Sequence, residues 1–188
     1  MAVVELAGTW MNRAEEQLFA STVEQRFERE ALPHLPDLIR TASRLMGDRE
    51  RAEDVVQDVF LQAWKSFGRF ESGTNCRAWL YKILFHCMHH YRRKWFRLSV
   101  MKPMDEYTEA TAAYTPPIAE RLTDEDILAA LEKVPSDFRA VILLVDVEEF
   151  AYKEAAEILA VPIGTVMSRL SRGRRLLREE LVGKEGGL

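Results

Sequence analysis

Apolar residues recur at three- and four-residue spacing along most of the chain, a pattern that predicts helices rather than strands. The cleanest helix runs from Glu50 to Phe67. Ala52, Val56, Val59, Phe60, Ala63, Trp64 and Phe67 fall on one face of it, and Asp54, Gln57, Asp58 and Gln62 fall largely away from that face. Before it, Phe27 to Met46 reads as a helix that Gly47-Asp48 stops; after it, Gly68 to Gly73 reads as a turn. Thr74 is placed to cap a further helix from Asn75 to about Trp95. Thr123-Asp124-Glu125-Asp126 sets an acid three residues after a hydroxyl, the form of a capping box, and opens a helix through Val134. Pro135-Ser136-Asp137 ends that helix and starts another, Phe138 to about Val147. Tyr152 to Ala160, a short turn at Val161-Pro162, and Ile163 to about Glu180 complete the series.

Between the two sets of helices, Met101 to Thr123 carries Pro103, Pro116 and Pro117, with no sustained apolar period, which suits a linker. The expected fold is therefore all-α: an N-terminal arm (1–23), a first helical domain (24–100), a flexible linker (101–122), and a second small domain of four helices (123–184) containing a helix-turn-helix. Composition agrees, since 47% of the 188 residues are apolar and breakers are sparse, with 9 glycines and 7 prolines. Two cysteines, Cys76 and Cys87, are too few for a disulfide framework and point to a reducing compartment. The N-terminus lacks the basic region and apolar run of a signal peptide, and no window reaches the roughly 18 apolar residues of a membrane span. The expectation is a cytoplasmic protein.

A net charge of −4 argues at first against nucleic acid, but the charge is unevenly spread. Residues 68–102 hold 8 basic residues against 1 acid, and residues 161–188 hold 6 against 3, whereas residues 103–160 hold 4 against 14. Salt screens charges beyond about 8–10 Å, so binding follows the local field, and two basic surfaces suggest two DNA contacts.

Chemistry concentrates in four places. Around Val161-Pro162, the apolar set Ala155, Ala156, Ile158, Leu159, Val161, Val166 and Leu170 would pack the elbow of two helices. That leaves Thr165, Ser168, Arg169, Arg172, Arg174 and Arg175 exposed on the second helix, a set suited to the major groove. A solvated helical hairpin would carry the same pattern without binding DNA. Arg77 to Arg97 interleaves Trp79, Tyr81, Phe85, Tyr91, Trp95 and Phe96 with Arg77, Lys82, Arg92, Arg93, Lys94 and Arg97, as a single-strand surface would; Trp79, Leu80, Ile83 and Leu84 read equally as core. His86-Cys87-Met88-His89-His90 offers four potential metal ligands, but neighbouring residues on a helix point in different directions, so no metal is expected. Asp54, Gln57 and Asp58 beside Phe60, Leu61 and Trp64 form either the wet face of an amphipathic helix or a docking surface for a basic coiled coil. No P-loop, G-x-S-x-G or H-E-x-x-H occurs, and no enzymatic chemistry or cofactor is expected.

Taken together these residues resemble bacterial extracytoplasmic-function (ECF, group four) sigma factors. Ala52 to Trp64 is similar to their region-two helix, Arg77 to Ile83 to the start of their −10 helix, and Tyr152 to Arg174 to their region-four helix-turn-helix. The resemblance implies that Asp54, Gln57, Asp58, Phe60, Leu61 and Trp64 lie at or under the surface that docks on the clamp helices of core RNA polymerase. His86, His89, His90, Tyr91, Arg92, Arg93 and Lys94 would engage the −10 element, although this run departs from the Asn- and Thr-containing sequence more usual there. Thr165, Ser168, Arg169, Arg172, Arg174 and Arg175 would face the −35 element. It also implies promoter melting, no catalysis, and an anti-sigma factor bound one to one, the free protein being a monomer. A helix-turn-helix repressor would explain Tyr152 to Leu177, but neither the aromatic-basic helix nor the acidic one; a helical adaptor would have no DNA role.

Overall fold

The computed structural model describes residues 22–96 and 123–183, with side chains of residues 92–96 outside the described set; the expected arm and linker lie outside it too. Every regular element among the described residues is helical. A first helix, α1 (residues 22–30), ends in a turn and a 3-10 segment, Leu32–His34, before α2 (Leu35–Met46) begins. The single helix expected from Phe27 to Met46 is thus two. Pro33 and Pro36 are the reason: each lacks an N–H and crowds the preceding turn, so proline is accommodated at a helix start. Gly47, at φ 67°, closes α2 with its N–H on the Ser43 carbonyl at 2.8 Å.

Asp48 caps α3 (Arg49–Phe67) by accepting from the Arg51 N–H. Ala52, Val55, Val56, Val59, Ala63 and Phe67 form its buried face. Trp64, expected on that face, is 45% exposed; it meets the buried Phe27 ring edge-on at 5.2 Å and leaves the rest of the indole to solvent. Phe60 is half-buried, and Val55 takes the inward place. The N-cap of α4 (Cys76–Phe96) is Asn75 rather than Thr74: Asn75 Oδ1 accepts from the Ala78 N–H at 3.0 Å, while the Thr74 hydroxyl donates to the Glu71 carbonyl. Among the described side chains of α4, Cys76, Leu80, Tyr81, Leu84 and Cys87 are buried, at three- and four-residue steps along its core stripe with Tyr81 beside Leu80.

In the second unit the capping box at Thr123 is present in both directions, with Asp126 N–H donating to Thr123 Oγ1 and Thr123 N–H to Asp126 Oδ2, each at 3.2 Å, and it opens α5 (Asp124–Lys133). The helix α6 (Ser136–Ile142) does not continue uniformly to Val147 as expected. It widens into a π-helical turn, Leu143–Val147, in which the Glu148 N–H reaches the Leu143 carbonyl at 2.9 Å. Four consecutive residues at this junction, Val141 to Leu144, are buried. Then come α7 (Tyr152–Leu159) and α8 (Ile163–Gly183).

The two units do not stand apart. Helix α4 packs on α7, and α2 packs on α5 and α6, so one apolar cluster runs from Phe27 through Tyr81 to Phe150 and Leu170. No helix among the described residues is long and apolar enough to cross a membrane.

Candidate nucleic-acid interface

The elbow between α7 and α8 is built as its sequence suggests. Ala160 takes the left-handed conformation at φ 53°, and the Val161 N–H returns to the Ala156 carbonyl at 3.0 Å, reversing the chain in two residues. The Pro162 carbonyl accepts the first N–H groups of α8, from Thr165 and Val166. Ala155, Ala156, Ile158, Val166 and Leu170 are buried, with Leu159 and Val161 packed against them. On the outward side of α8, Ser168, Arg172, Arg174 and Arg175 are exposed, and Thr165 and Arg169 are half-buried. Two of these arginines are held by acids from the preceding elements. Arg169 reaches Asp137 Oδ2 at 3.0 Å, and Arg174 grips Asp146 with two nitrogens, Nε at 3.0 Å and Nη2 at 2.5 Å. Arg175 pairs with Glu179 along the helix at 3.7 Å. Exposed pairs of this kind contribute on the order of 0–1 kcal/mol, so they aim side chains more than they stabilise the fold.

Towards the end of α4, His86, His89 and His90 are exposed and Tyr91 is half-buried. The His86 and His90 rings lie 4.7 Å apart at 61°, a T-shaped pair one turn apart. Cys87 points into the core. The side chains of Arg92, Arg93 and Lys94 lie outside the described residues. Burial pushes the Cys87 thiol up and carries the Cys76 thiol to about 11, with Glu30 adding to the latter. Neither has the low pKa and access of a reactive thiol.

On α3, Asp54, Gln57, Asp58 and Leu61 lie at three- and four-residue intervals along one exposed stripe, with Trp64 beside it. Leu61 is 56% exposed, a large apolar side chain open to solvent next to two carboxylates. Among the described residues Asp54 and Asp58 are exposed and form no ion pair, so their carboxylates are presented outward.

Three residues that the sequence pattern did not single out, Glu148, Arg139 and Gly173, have defined structural positions. Glu148 is an acidic residue only 5% exposed. Its carboxylate accepts from the Thr41 hydroxyl at 2.7 Å and from Arg77, which also donates to the Glu148 carbonyl at 2.7 Å. Arg139 donates to the Val134 and Glu132 carbonyls at the end of α5 and to the Arg44 carbonyl near the end of α2, satisfying helix-end acceptors of both units with one guanidinium. Gly173 is where α8 crosses α6: a Cβ there would stand 3.0 Å from Ile142 Cδ1 and 3.2 Å from Phe138 Cβ. Only Gly173 carried a signal, a glycine inside a long helical pattern.

Comparison with known proteins places this architecture. The model of Sigma-70 region 2 matches residues 32–97, and that of Sigma-70, region 4 matches residues 124–177, so the two units define a sigma-70-type transcription factor. The chain is 34% identical over 152 residues to the ECF RNA polymerase sigma factor EcfG of Rhodopseudomonas palustris, covering 78% of this chain and 80% of that one. It is 31% identical over 155 residues to SigW of Bacillus subtilis, covering 73% and 79%. A solved structure of the sigma factor RpoE in complex with the anti-sigma factor NepR, from Bartonella quintana, aligns with a TM-score of 0.68 at 34% identity over 84% of this chain and 97% of that chain. The chain belongs to the ECF RNA polymerase sigma factors.

Proposed function

We propose that the two units divide promoter recognition between them. Residues 24–100 dock on core RNA polymerase and engage the −10 element, residues 101–122 connect, and residues 123–184 hold the −35 element. In the first unit the docking surface is the α3 stripe of Asp54, Gln57, Asp58 and Leu61 with Trp64 and, beneath it, Phe60. Its two carboxylates and open apolar side chains suit a basic, amphipathic helical partner. The exposed end of α4, His86, His89, His90 and Tyr91 with the following Arg92, Arg93 and Lys94, contacts the opened strand, where rings stack on bases and cations follow phosphates. In the second unit Thr165, Ser168, Arg172 and Arg175 lie on duplex, with Arg169 and Arg174 aimed by Asp137 and Asp146.

The observation that carries the reading is α8 itself. Its inner face is fixed by Val166, Leu170 and Gly173, and its outer face is a row of hydroxyls and arginines starting at the helix N-terminus, where base edges are reached. The chemistry of polymerisation belongs to the polymerase, and the chain contributes no catalytic step. Its work is in the cytoplasm, with the transcription machinery. Control by an anti-sigma factor is supported by the similarity to RpoE of Bartonella quintana, solved with NepR.

The test is run-off transcription by core polymerase on a promoter library, with and without the full chain. Start sites that depend on the chain are expected; their complete absence across the library would remove the reading. Asp54→Lys supplies the second arm. It places a cation against a basic partner, so recovery of polymerase in pull-down should fall while helicity is unchanged, and undiminished recovery would remove Asp54 from the docking surface.

A further inference from the structure

Three histidines stand on the outward side of α4, and two of them face each other. The core stripe of that helix, with Leu80, Leu84 and Cys87, is buried. At 3.6 residues per turn, His86 and His90 fall on the opposite side, and both are exposed. Their ring centroids lie 4.7 Å apart with an interplanar angle of 61°. A spacing of four residues brings two helical side chains to one surface, a turn apart. The same spacing carries the paired zinc-binding histidines of H-E-x-x-H helices.

The distance fits an ion between the two rings. An imidazole nitrogen binds Zn²⁺ at about 2.0–2.1 Å, which sets each ring centre about 3.2 Å from the ion. Adjacent ligand positions subtend about 90–110°, so the two ring centres of a chelating pair stand about 4.5–5.2 Å apart. The observed 4.7 Å falls inside that interval. The rings now meet edge to face. Turning one of them about its Cβ–Cγ bond, a broad torsion, aims both rings at one point without moving the backbone.

The neighbours limit the site to these two donors. Cys87 is buried, and burial pushes its thiol up. His89 is exposed but stands about 100° round the helix from His90. No group of three or more His, Cys, Asp or Glu side chains among the described residues is placed to hold a metal. Lys82, one turn before His86, is paired with Glu157 at 3.1 Å, which offsets its repulsion of a cation.

We propose that His86 and His90 form a two-histidine chelate for a divalent transition ion of the Zn²⁺, Ni²⁺ and Cu²⁺ class, with water at the remaining positions. Mg²⁺ and Ca²⁺ take oxygen ligands and are not held. Adjacent ligands on a helix diverge, which rules out a four-ligand centre at 86–90; a pair one turn apart escapes that objection. Occupancy has a consequence that rests on the contact of α4 with the opened strand proposed above. The ion adds positive charge to that surface, and one of its water positions passes to a phosphate oxygen, so strand binding tightens.

The experiment titrates the full chain with Zn²⁺ against a chromophoric chelator, for wild type, His86→Ala, His90→Ala and His89→Ala. All three side chains are exposed, so each variant keeps the fold, which circular dichroism checks. A second donor on the same helix binds as an intramolecular ligand, so losing either His86 or His90 should weaken the tightest Zn²⁺ site by at least about tenfold. His89→Ala should titrate as wild type. In nuclear magnetic resonance spectra of the wild type, the His86 and His90 ring signals should shift together on adding Zn²⁺, and excess Mg²⁺ should move neither. Wild-type affinity in His90→Ala, or equal loss in His89→Ala, overturns the chelate. A second arm measures binding to a labelled oligo-dT strand with and without Zn²⁺. Tightening in wild type but not in His90→Ala supports the link to the strand. Chelation without tightening removes His86 and His90 from the strand contact and leaves the metal site standing.

Discussion

Replacing Gly173 with alanine tests the helix crossing on which the recognition helix depends. In an open helix interior the change would gain about 0.8–1.0 kcal/mol, because glycine gives up more backbone freedom on folding. At this site the added Cβ meets Ile142 Cδ1 at 3.0 Å and Ile142 Cγ1 and Phe138 Cβ at 3.2 Å. Carbon pairs are most favourable at about 3.5–4.0 Å, so three contacts are several tenths of an ångström too close. The Ile142 terminus can rotate, but Phe138 Cβ is fixed to the α6 backbone and moves only if the helices part. Overpacking of this kind costs about 1–3 kcal/mol, which matches or exceeds the propensity gain and leaves a net loss of up to about 2 kcal/mol. Gly164, on the same helix, has no atom within 4 Å of a Cβ built there, so Gly164→Ala keeps whatever propensity gain its first-turn position allows. Thermal unfolding of the full chain followed by circular dichroism should therefore move in opposite directions for the two variants, by about 2–4 °C per kcal/mol for a chain of this length. A Gly173→Ala protein at least as stable as Gly164→Ala would refute the close crossing and with it the fixed placement of Arg169, Arg172 and Arg175.

Two further outcomes are expected. Arg172→Ala should weaken duplex binding at the upstream element by roughly 1–3 kcal/mol if the guanidinium reads a base, seen as a shift in the concentration needed for half protection; an unshifted footprint removes Arg172 from the recognition face. With their thiols raised by burial, Cys76 and Cys87 should resist alkylation at pH 8 and react only as fast as the chain opens, so two equivalents of rapid labelling in the native protein would contradict their placement.

Helix identity along this chain is a local property, and the sequence carries it well. The core stripes of α3 and α4, the capping box at Thr123 and the elbow at Val161-Pro162 follow from spacing and from residues that satisfy or withhold backbone hydrogen bonds within a turn or two. Where local signals competed, the pattern misled: the apolar period ran through Pro33 and Pro36, where the chain in fact breaks, and it put Trp64 inside because period alone does not say how wide the neighbouring helix is. The candidate surfaces were legible to the same depth. Asp54, Asp58, Ser168 and Arg172 stand outside the core stripes and are exposed, as amphipathic geometry requires.

What spacing could not supply was any contact between residues distant in the chain. Glu148 sits among other acids in sequence and reads as solvated; it is buried because Thr41, 107 residues away, and Arg77, 71 away, arrive with donors. Arg169 and Arg174 look like free cations until α6 and its π-helical turn bring Asp137 and Asp146 beside them. The sequence by itself determined the helices, their inner and outer faces and the two basic stretches, since each depends on hydrogen bonding and solvation within a few residues. Only the tertiary structure decided which charges face one another across the two units, because a buried ion pair exists only where separate elements complete each other's hydrogen bonds.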